Sequence, residues 1–404
     1  MNLKNKTVIL GVSGSIAAYK MANVASALAK WGCDVHVIMT PNATEIIAPM
    51  TFSTLTGNNC IVDTFDKTIN YNVAHVSLAK RADLLMIATP LRPPPATANV
   101  IAKLAHGLAD DMLTTTALAC TCKKIVSPAM NTNMFHNLVV QDNLNILRKY
   151  NFEIVEPDSG VLACKDIGDG KLPKEEVLID HILKEIAFEK DLAGKKVLIT
   201  AGPTCEAIDP VRYITNHSSG KMGYALARNA MLRGAEVTLV SGPTALSPVP
   251  FVNMVDITSA RDMFEAVSSR SEQQDIIIKA AAVADYTPSD YSDEKVKKKE
   301  GAMNISLDRT QDILAWLGTN RRPGQFLCGF SMETQNLLEN SQAKLARKNV
   351  DMMIANNLKV EGAGFSGDTN VVTVITKDRA TELPKQTKEE VAGQILDTIL
   401  ECLP

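Results

Sequence analysis

Residues 7–16 read TVILGVSGSI. Positions 7–11 form a short apolar run, and Ser13, Gly14 and Ser15 break it. A helical pattern follows, with Met21, Val24, Ala25 and Leu28 spaced by three and four. Gly32 stops that helix, and DVHVIM at 34–39 reads as the next strand. The scheme returns from Lys196. Residues 197–200 form a strand, and Ser218, Ser219 and Gly220 open a helix carrying Met222, Leu226 and Ala230. Gly234 ends it, and 237–240 is again a strand. Strands alternating with helices predict parallel, doubly wound sheets. The expected fold class is α/β, with two such domains at 1–190 and 191–404 and a linker at 189–194.

Further strands are expected at 84–88, 125–127, 275–281, 326–330 and 352–355. Helices are expected at 98–109, 133–150, 174–188 and 388–403. Residues 158–171 read as a Gly- and Asp-rich loop, and 286–301 is polar and lysine-rich with no regular period. The bulk numbers suit ordinary globular protein, at 46% hydrophobic and 22% charged. A net charge of -3 gives no reason to expect nucleic acid or an anionic membrane surface. No apolar run approaches the ~20 residues of a membrane helix. The polar start, with no visible signal peptide, and eight scattered cysteines point to a cytoplasmic protein with reduced thiols. Cys120 and Cys122 lack zinc-knuckle spacing.

Several residues are candidates for chemistry. In the turn Gly11, Ser13, Gly14, Ser15, small residues let backbone approach a phosphate, and the following helix offers free N–H groups. The spacing is not GxGxxG, which favours a mononucleotide, although a plain helix cap explains such a turn as readily. His75 precedes a strand, Asn131 follows one, and Cys164 lies in the glycine loop GVLACKDIGDGKL. Each has an ordinary structural reading as well: a packed histidine, a helix cap, an incidental thiol. In the second half, Ser218, Ser219, Gly220 and Lys221 at a helix start suit a phosphate. Asp285 ends a strand, and the lysine run EKVKKK at 294–299 is either a solvated face or a reach toward triphosphate oxygens.

GVSGSIAAYK, His75 in NVAHVSL, PATANVIAKLAHGLADDMLTT from Pro95, PAMN and LAC…GDGKL occur in that order through nearly all of residues 5–175. Together they resemble the phosphopantothenoylcysteine decarboxylases, within the wider family of flavin-binding homo-oligomeric cysteine decarboxylases. The resemblance implies a flavodoxin-like or Rossmann-like half. It implies FMN held by Gly11, Ser13, Gly14, Ser15, Thr40, Pro95, Ala96, Thr97 and Asn99. It also implies that His75 assists oxidative decarboxylation, Asn131 holds the substrate carboxylate and Cys164 supplies a proton. His75 and Asn131 are then expected to meet across the interface of a trimer. Two departures stand out. TPLRPP at 89–94 intervenes before PATAN and is expected to bulge from the mouth of the flavin site, and Lys165 follows Cys164 where the family more often has glycine.

ITAGPT, DPVRYITNHSSGKMG, AAVADY, EKVKKK and the pair Lys344/Lys348 cover most of residues 195–357. They resemble phosphopantothenate–cysteine ligase, and this order of the two halves is the bacterial bifunctional arrangement. The resemblance implies a Rossmann-like ligase half acting on 4′-phosphopantothenate, cysteine and CTP through an acyl-cytidylate, with Mg²⁺. Ala280, Ala281, Asp285, Lys295, Asp312, Ile313, Phe330, Lys344 and Lys348 are expected around the nucleotide. Lys295 is expected to be catalytic, Asn216 to act on the acyl-cytidylate, and Arg212 and the Ser218–Lys221 residues to bind substrate anions. The family's Asn-Pro-Asp-Ile segment is Thr310-Gln-Asp-Ile313 here. The metal ligands stay open. A homo-oligomer is expected, with trimeric decarboxylase units and dimeric ligase units in a dodecamer. Two other readings, a regulatory flavoprotein and a generic nucleotide-binding oxidoreductase, fit the ligase-like half less well.

Overall fold

The computed structural model describes residues 2–14, 18–63, 74–89, 96–162, 167–297, 303–333, 337–357 and 367–403. The chain divides into two compact units, Met1–Phe188 and Glu189–Pro404. Each is built around its own sheet.

In the first unit β1 (Thr7–Val12) leads to α1 (Ala18–Lys30) and β2 (Asp34–Met39). The short helices α2 (Pro41–Thr44), α3 (Pro49–Thr56) and α4 (Ala74–Arg81) precede β3 (Leu84–Thr89). Helices α5 (Ala96–His106) and α6 (Met112–Ala119) lead to β4 (Lys123–Pro128), and α7 (Thr132–Phe135) and α8 (Leu138–Lys149) to β5 (Phe152–Ile154). The sheet order is β2-β1-β3-β4-β5, and every pairing in it is parallel. This is the flavodoxin-like order. A sheet covered on both faces needs apolar residues at successive positions, and every residue of β1 is buried. Ile9, Leu85, Ile87 and Val126 join one core with Ile101, Leu113 and Leu144 from the helices.

The structure alters two expectations here. The helix expected at 133–150 is two helices, because Asn137 leaves the helical conformation and its side chain accepts the Val139 N–H as a new N-cap. The described part of 158–171 is not loop. It is an antiparallel hairpin of β6 (Asp158–Val161) and β7 (Ile167–Lys171), whose pairing no local period announces. Helix α9 (Glu175–Ile186) closes the unit.

The second unit runs β8 (Lys196–Ala201), the small pair β9 (Cys205–Ala207) and β10 (Tyr213–Thr215), α10 (Lys221–Leu232), β11 (Glu236–Ser241), β12 (Asn253–Asp256), α11 (Ala260–Ser271) and β13 (Ile276–Lys279). Then come β14 (Tyr286–Pro288), β15 (Leu307–Arg309), α12 (Ile313–Asn320), β16 (Phe326–Glu333), α13 (Leu337–Arg347) and β17 (Met352–Asn357). The unit ends with β18 (Thr369–Asn370), β19 (Val372–Thr376), β20 (Ala380–Glu382), β21 (Gln386–Thr387) and α14 (Lys388–Cys402). The large sheet has the order β12-β11-β8-β13-β16-β17-β19-β20. Its first six strands are parallel and its last two antiparallel. The polar 286–301 stretch begins with β14, which pairs antiparallel with β15. Arg233, at the end of α10, pairs with Asp191 at 2.5 Å and with Asp397 on α14 at 2.6 Å. It thereby ties the start of the unit to its last helix.

Candidate active sites

In open α/β sheets ligands bind at the carboxyl ends of strands where the strand order reverses. In the first unit that point lies between β1 and β3. The turn after β1 comes close to its neighbours: a Cβ on Gly11 would stand 2.5 Å from Leu113 Cδ1, and one on Gly14 2.7 Å from Asn42 Cβ. Ser13 N donates to Ala88 O at 3.4 Å and Thr40 N to Val12 O at 3.0 Å, which ties together the ends of β1, β2 and β3. Ser13 Oγ and Thr40 Oγ1 are both buried and, among the described residues, have no hydrogen-bond partner. Thr40 even stands at the N-cap of α2 without using its hydroxyl there. Buried hydroxyls are seldom left unpaired. Two such donors beside a strand-end turn suit a bound mononucleotide.

The PATAN segment opens α5 at Ala96 and Thr97, with Asn99 exposed in its first turn. Ser15, Pro95 and Cys164 lie outside the described residues, as do residues 90–94, on which the expectation of a bulge rests. The ADDMLTT part of the motif is a cap. Asp111 accepts the Thr114 N–H at 2.8 Å, and Lys103 pairs with Asp110 at 2.6 Å and Asp111 at 3.2 Å. His75 is half-buried in the first turn of α4. Asn131 caps α7 by accepting the Asn133 N–H at 2.9 Å. Around it the turn is clamped to β7: Met130 N donates to Gly170 O, and Thr132 Oγ1 to Asp169 O, each at 2.9 Å. Gly170 has φ of 128°, and a Cβ there would stand 1.9 Å from Met130 O. Glycine is required, and the hairpin is thereby seated on Met130 and Thr132, the residues that flank Asn131.

In the second unit the strand order reverses between β8 and β13. The GPT turn after β8 and the AAAVADY turn after β13 are joined there. Ala281 N donates to Thr200 Oγ1 at 3.1 Å, Ala284 N to Thr204 Oγ1 at 3.0 Å, and Asn216 Nδ2 to Ala282 O at 2.9 Å. Gly220, at φ of 77°, opens α10, and Gly223 lets that helix approach β8, where a Cβ would stand 2.5 Å from Ala201 Cβ. A cavity of about 400 Å³ is lined by Asn216, residues 218–223, 279–283 and 330–332, Asn356, Asn370 and Lys388. A second, of about 470 Å³, is lined by Tyr286, residues 309–314, Arg347, Lys348 and Met353. Lys279, Val283, Asp285, Phe330 and Lys344 line both.

The structure thus gathers Asn216, Ser218, Ser219, Gly220, Lys221, Ala280, Ala281, Asp285, Asp312, Ile313, Phe330, Lys344 and Lys348 around two adjoining cavities. Two expected residues line neither. Arg212 turns to Asp209, at 2.5 Å, and to Val296 O, at 2.8 Å, and Lys295 stands exposed on the neighbouring segment. Lys221 pairs with Asp368 at 2.7 Å. Asp312 accepts the Ala315 N–H at 3.0 Å as the cap of α12 and is bonded to Lys348. Burial would raise its pKa, but Lys348 and that N–H outweigh burial and hold it below the usual carboxylate range. Sequence reasoning passed over Lys279, Asn356, Asn370 and Lys388. Only Lys279 left a signal, as a charge ending the buried run IIIK.

Fold and sites define an α/β protein with a nucleotide-type crevice in each of two units. Residues 1–187 match the Flavoprotein family model, and residues 192–403 match that of the DNA/pantothenate metabolism flavoprotein C-terminal domain. The chain is 45% identical to the coenzyme A biosynthesis bifunctional protein CoaBC of Bacillus subtilis, over 98% of this chain and 97% of that one. It is 41% identical to the protein of the same name from Vibrio parahaemolyticus, over 99% of each. A crystal structure of the C-terminal domain of a coenzyme A biosynthesis bifunctional protein CoaBC shares 47% identity, with a TM-score of 0.45, and covers 53% of this chain and 97% of that one. The chain belongs to the family of bacterial bifunctional phosphopantothenoylcysteine decarboxylase/phosphopantothenate–cysteine ligases. It is a bifunctional enzyme of coenzyme A biosynthesis. Among the described residues no helix is long and apolar enough to cross a membrane.

Proposed function

We propose that the second unit joins 4′-phosphopantothenate to cysteine, using CTP and passing through an acyl-cytidylate, and that the first unit then decarboxylates the product to 4′-phosphopantetheine with FMN. The observation that carries this reading is the pair of adjoining cavities with one shared wall. A reaction between two anionic substrates needs two sites that meet. Ser218, Ser219, Gly220 and Lys221 at the start of α10 suit a phosphate on one side, and Lys344, Lys348 and the Asp312–Ile313 backbone suit a nucleotide on the other. The carboxylate attacks the α-phosphorus, the bond to the β-phosphate breaks, and pyrophosphate leaves with the electron pair. The amine of cysteine then displaces CMP and loses a proton. Asn216, held by Ala282 O, orients the acyl group for that attack. Lys295 is assigned to the first step, reaching the phosphates from its exposed segment, and Arg212 to an outer anion contact.

Among the described residues no group of three or more His, Cys, Asp or Glu side chains could hold a metal ion. A nucleotide-borne Mg²⁺ needs only one or two protein carboxylates. Asp285, on the shared wall, suits it, and the ion would neutralise triphosphate charge. FMN fits the turn at Gly11, Ser13 and Gly14 because the orphaned Ser13 and Thr40 hydroxyls would gain partners. When bound it supplies the hydride acceptor that makes decarboxylation possible. Around it, His75 assists the oxidation, Asn131 holds the carboxylate and Cys164 returns a proton. We assign the assembly as trimers of the first unit and dimers of the second, giving a cytoplasmic dodecamer. The test is to supply the full chain with 4′-phosphopantothenate, CTP, Mg²⁺ and cysteine. CMP, pyrophosphate and CO₂ are expected in equal amounts, together with a yellow flavin spectrum. No cysteine-dependent CMP release would overturn the ligase reading, and no CO₂ the decarboxylase reading.

A further inference from the structure

Lys279 ends β13, directly after Ile276, Ile277 and Ile278, which are all buried. The apolar pattern of a central strand favours another aliphatic residue there, yet the position holds a half-buried lysine, a side chain seldom withdrawn from water without a partner. Among the described residues its ammonium has no hydrogen bond and no ion pair. Asp312, the carboxylate that acts on it most strongly, is already bonded to Lys348 and to the Ala315 N–H. Lys279 lines both cavities.

We infer that Lys279 is a further substrate-contacting residue of the ligase, its ammonium resting on the α-phosphoryl oxygens where the acyl carboxylate meets the nucleotide. This deepens the ligase reading above and rests on it. Burial pulls the ammonium below the usual lysine range, Asp312 and Asp285 oppose that, and Lys348 and Lys344 add to it. A polyanion in the adjoining cavities would add to the stabilisation that Asp312 and Asp285 already give this charge. The role is electrostatic, and Lys279 transfers no proton in the step. It offsets charge that gathers on the α-phosphoryl oxygens as the new P–O bond forms and the old one breaks. Charge stabilisation at that point raises kcat more than it lowers KM.

The full chain carrying Lys279→Met is compared with wild type for pyrophosphate release from CTP and 4′-phosphopantothenate. The expected result is a fall in kcat of about 100-fold, a smaller change in KM for CTP, and partial recovery in Lys279→Arg. The melting temperature of Lys279→Met should not drop, because the variant removes a half-buried charge that has no ion-pair partner among the described residues. A variant with wild-type kcat, or one whose loss simply follows a lowered melting temperature, overturns the inference. A second measurement uses only wild type: acylation of Lys279 by acetic anhydride, read by peptide mass, should slow with saturating CTP and Mg²⁺. Labelling that ignores the nucleotide also overturns it. Wild type that releases no pyrophosphate would defeat the ligase reading itself, whereas active wild type with indifferent variants would defeat the role of Lys279 alone.

Discussion

Single side chains are best understood here by what they leave unsatisfied. Ser13 Oγ and Thr40 Oγ1 are buried donors with no acceptor among the described residues. Each such group costs about 1–3 kcal/mol. Thr40→Val should therefore leave the melting temperature of flavin-free protein unchanged or raised, while weakening FMN binding about tenfold, the equivalent of one lost hydrogen bond. Flavin titration followed by absorbance checks this, and unchanged affinity would remove Thr40 from the site. Asn216 makes the opposite case, since its amide donates to Ala282 O at 2.9 Å. An aspartate there has no N–H, and its oxygen would face another acceptor. Asn216→Asp is expected to form acyl-cytidylate but not pass it to cysteine. Acid quench without cysteine should trap the intermediate, and rapid amide formation by the variant would contradict the assignment. The motif around Asn216 is legible because it is long and local. The hydrogen bond is not, because Ala282 is 66 positions away.

Among the elements, α9 shows how a helix is fixed to a sheet edge by charge. Glu153 on β5 accepts from His181 Nδ1 at 2.6 Å and lies 3.3 Å from Lys184 Nζ, both on α9. Burial would raise its pKa, but the His181 hydrogen bond and the Lys184 and His181 charges prevail and bring it to about 2. A carboxylate with a depressed folded pKa stabilises the fold above its unfolded value. That contribution is lost as pH falls through the folded one. Glu153→Gln should thus lower stability at neutral pH by on the order of 2–3 kcal/mol, with the difference closing between about pH 4.5 and pH 2. The chain has two tryptophans, and Trp31 lies in the first unit. Urea unfolding of a Trp316→Phe background therefore reads that unit alone. A difference that persists at pH 2 would show that the pair is not its source.

For the whole molecule, each unit carries its own sheet, its own core and its own strand-end crevice. His75→Asn should accordingly abolish CO₂ release and leave CTP-dependent formation of phosphopantothenoylcysteine within about twofold of wild type, a change under 0.5 kcal/mol. Assaying both products on one preparation tests it. Loss of both in folded protein would mean that the two chemistries are coupled.

Periodicity alone carried the reading of two α/β halves, because a strand-turn-helix unit is written in spacings of two to four residues. Long ordered motifs carried the family resemblance for the same reason, since their residues are neighbours in the chain. Other features needed the folded chain. The antiparallel strands β19 and β20 take their partners from sheet order, and the hairpin of β6 and β7 has no period of its own. The helix pattern at 133–150 is continuous in hydrophobicity, yet Asn137 splits it by finding a backbone donor. The shared wall of the two cavities joins Lys279 and Asp285, from the end of β13 and its turn, to Phe330 on β16 and Lys344 on α13. Burial, hydrogen-bond partners and local charge are sums over neighbours that packing brings together. That is why a lysine at the end of an isoleucine run reads as an oddity in the chain and as part of a site in the fold.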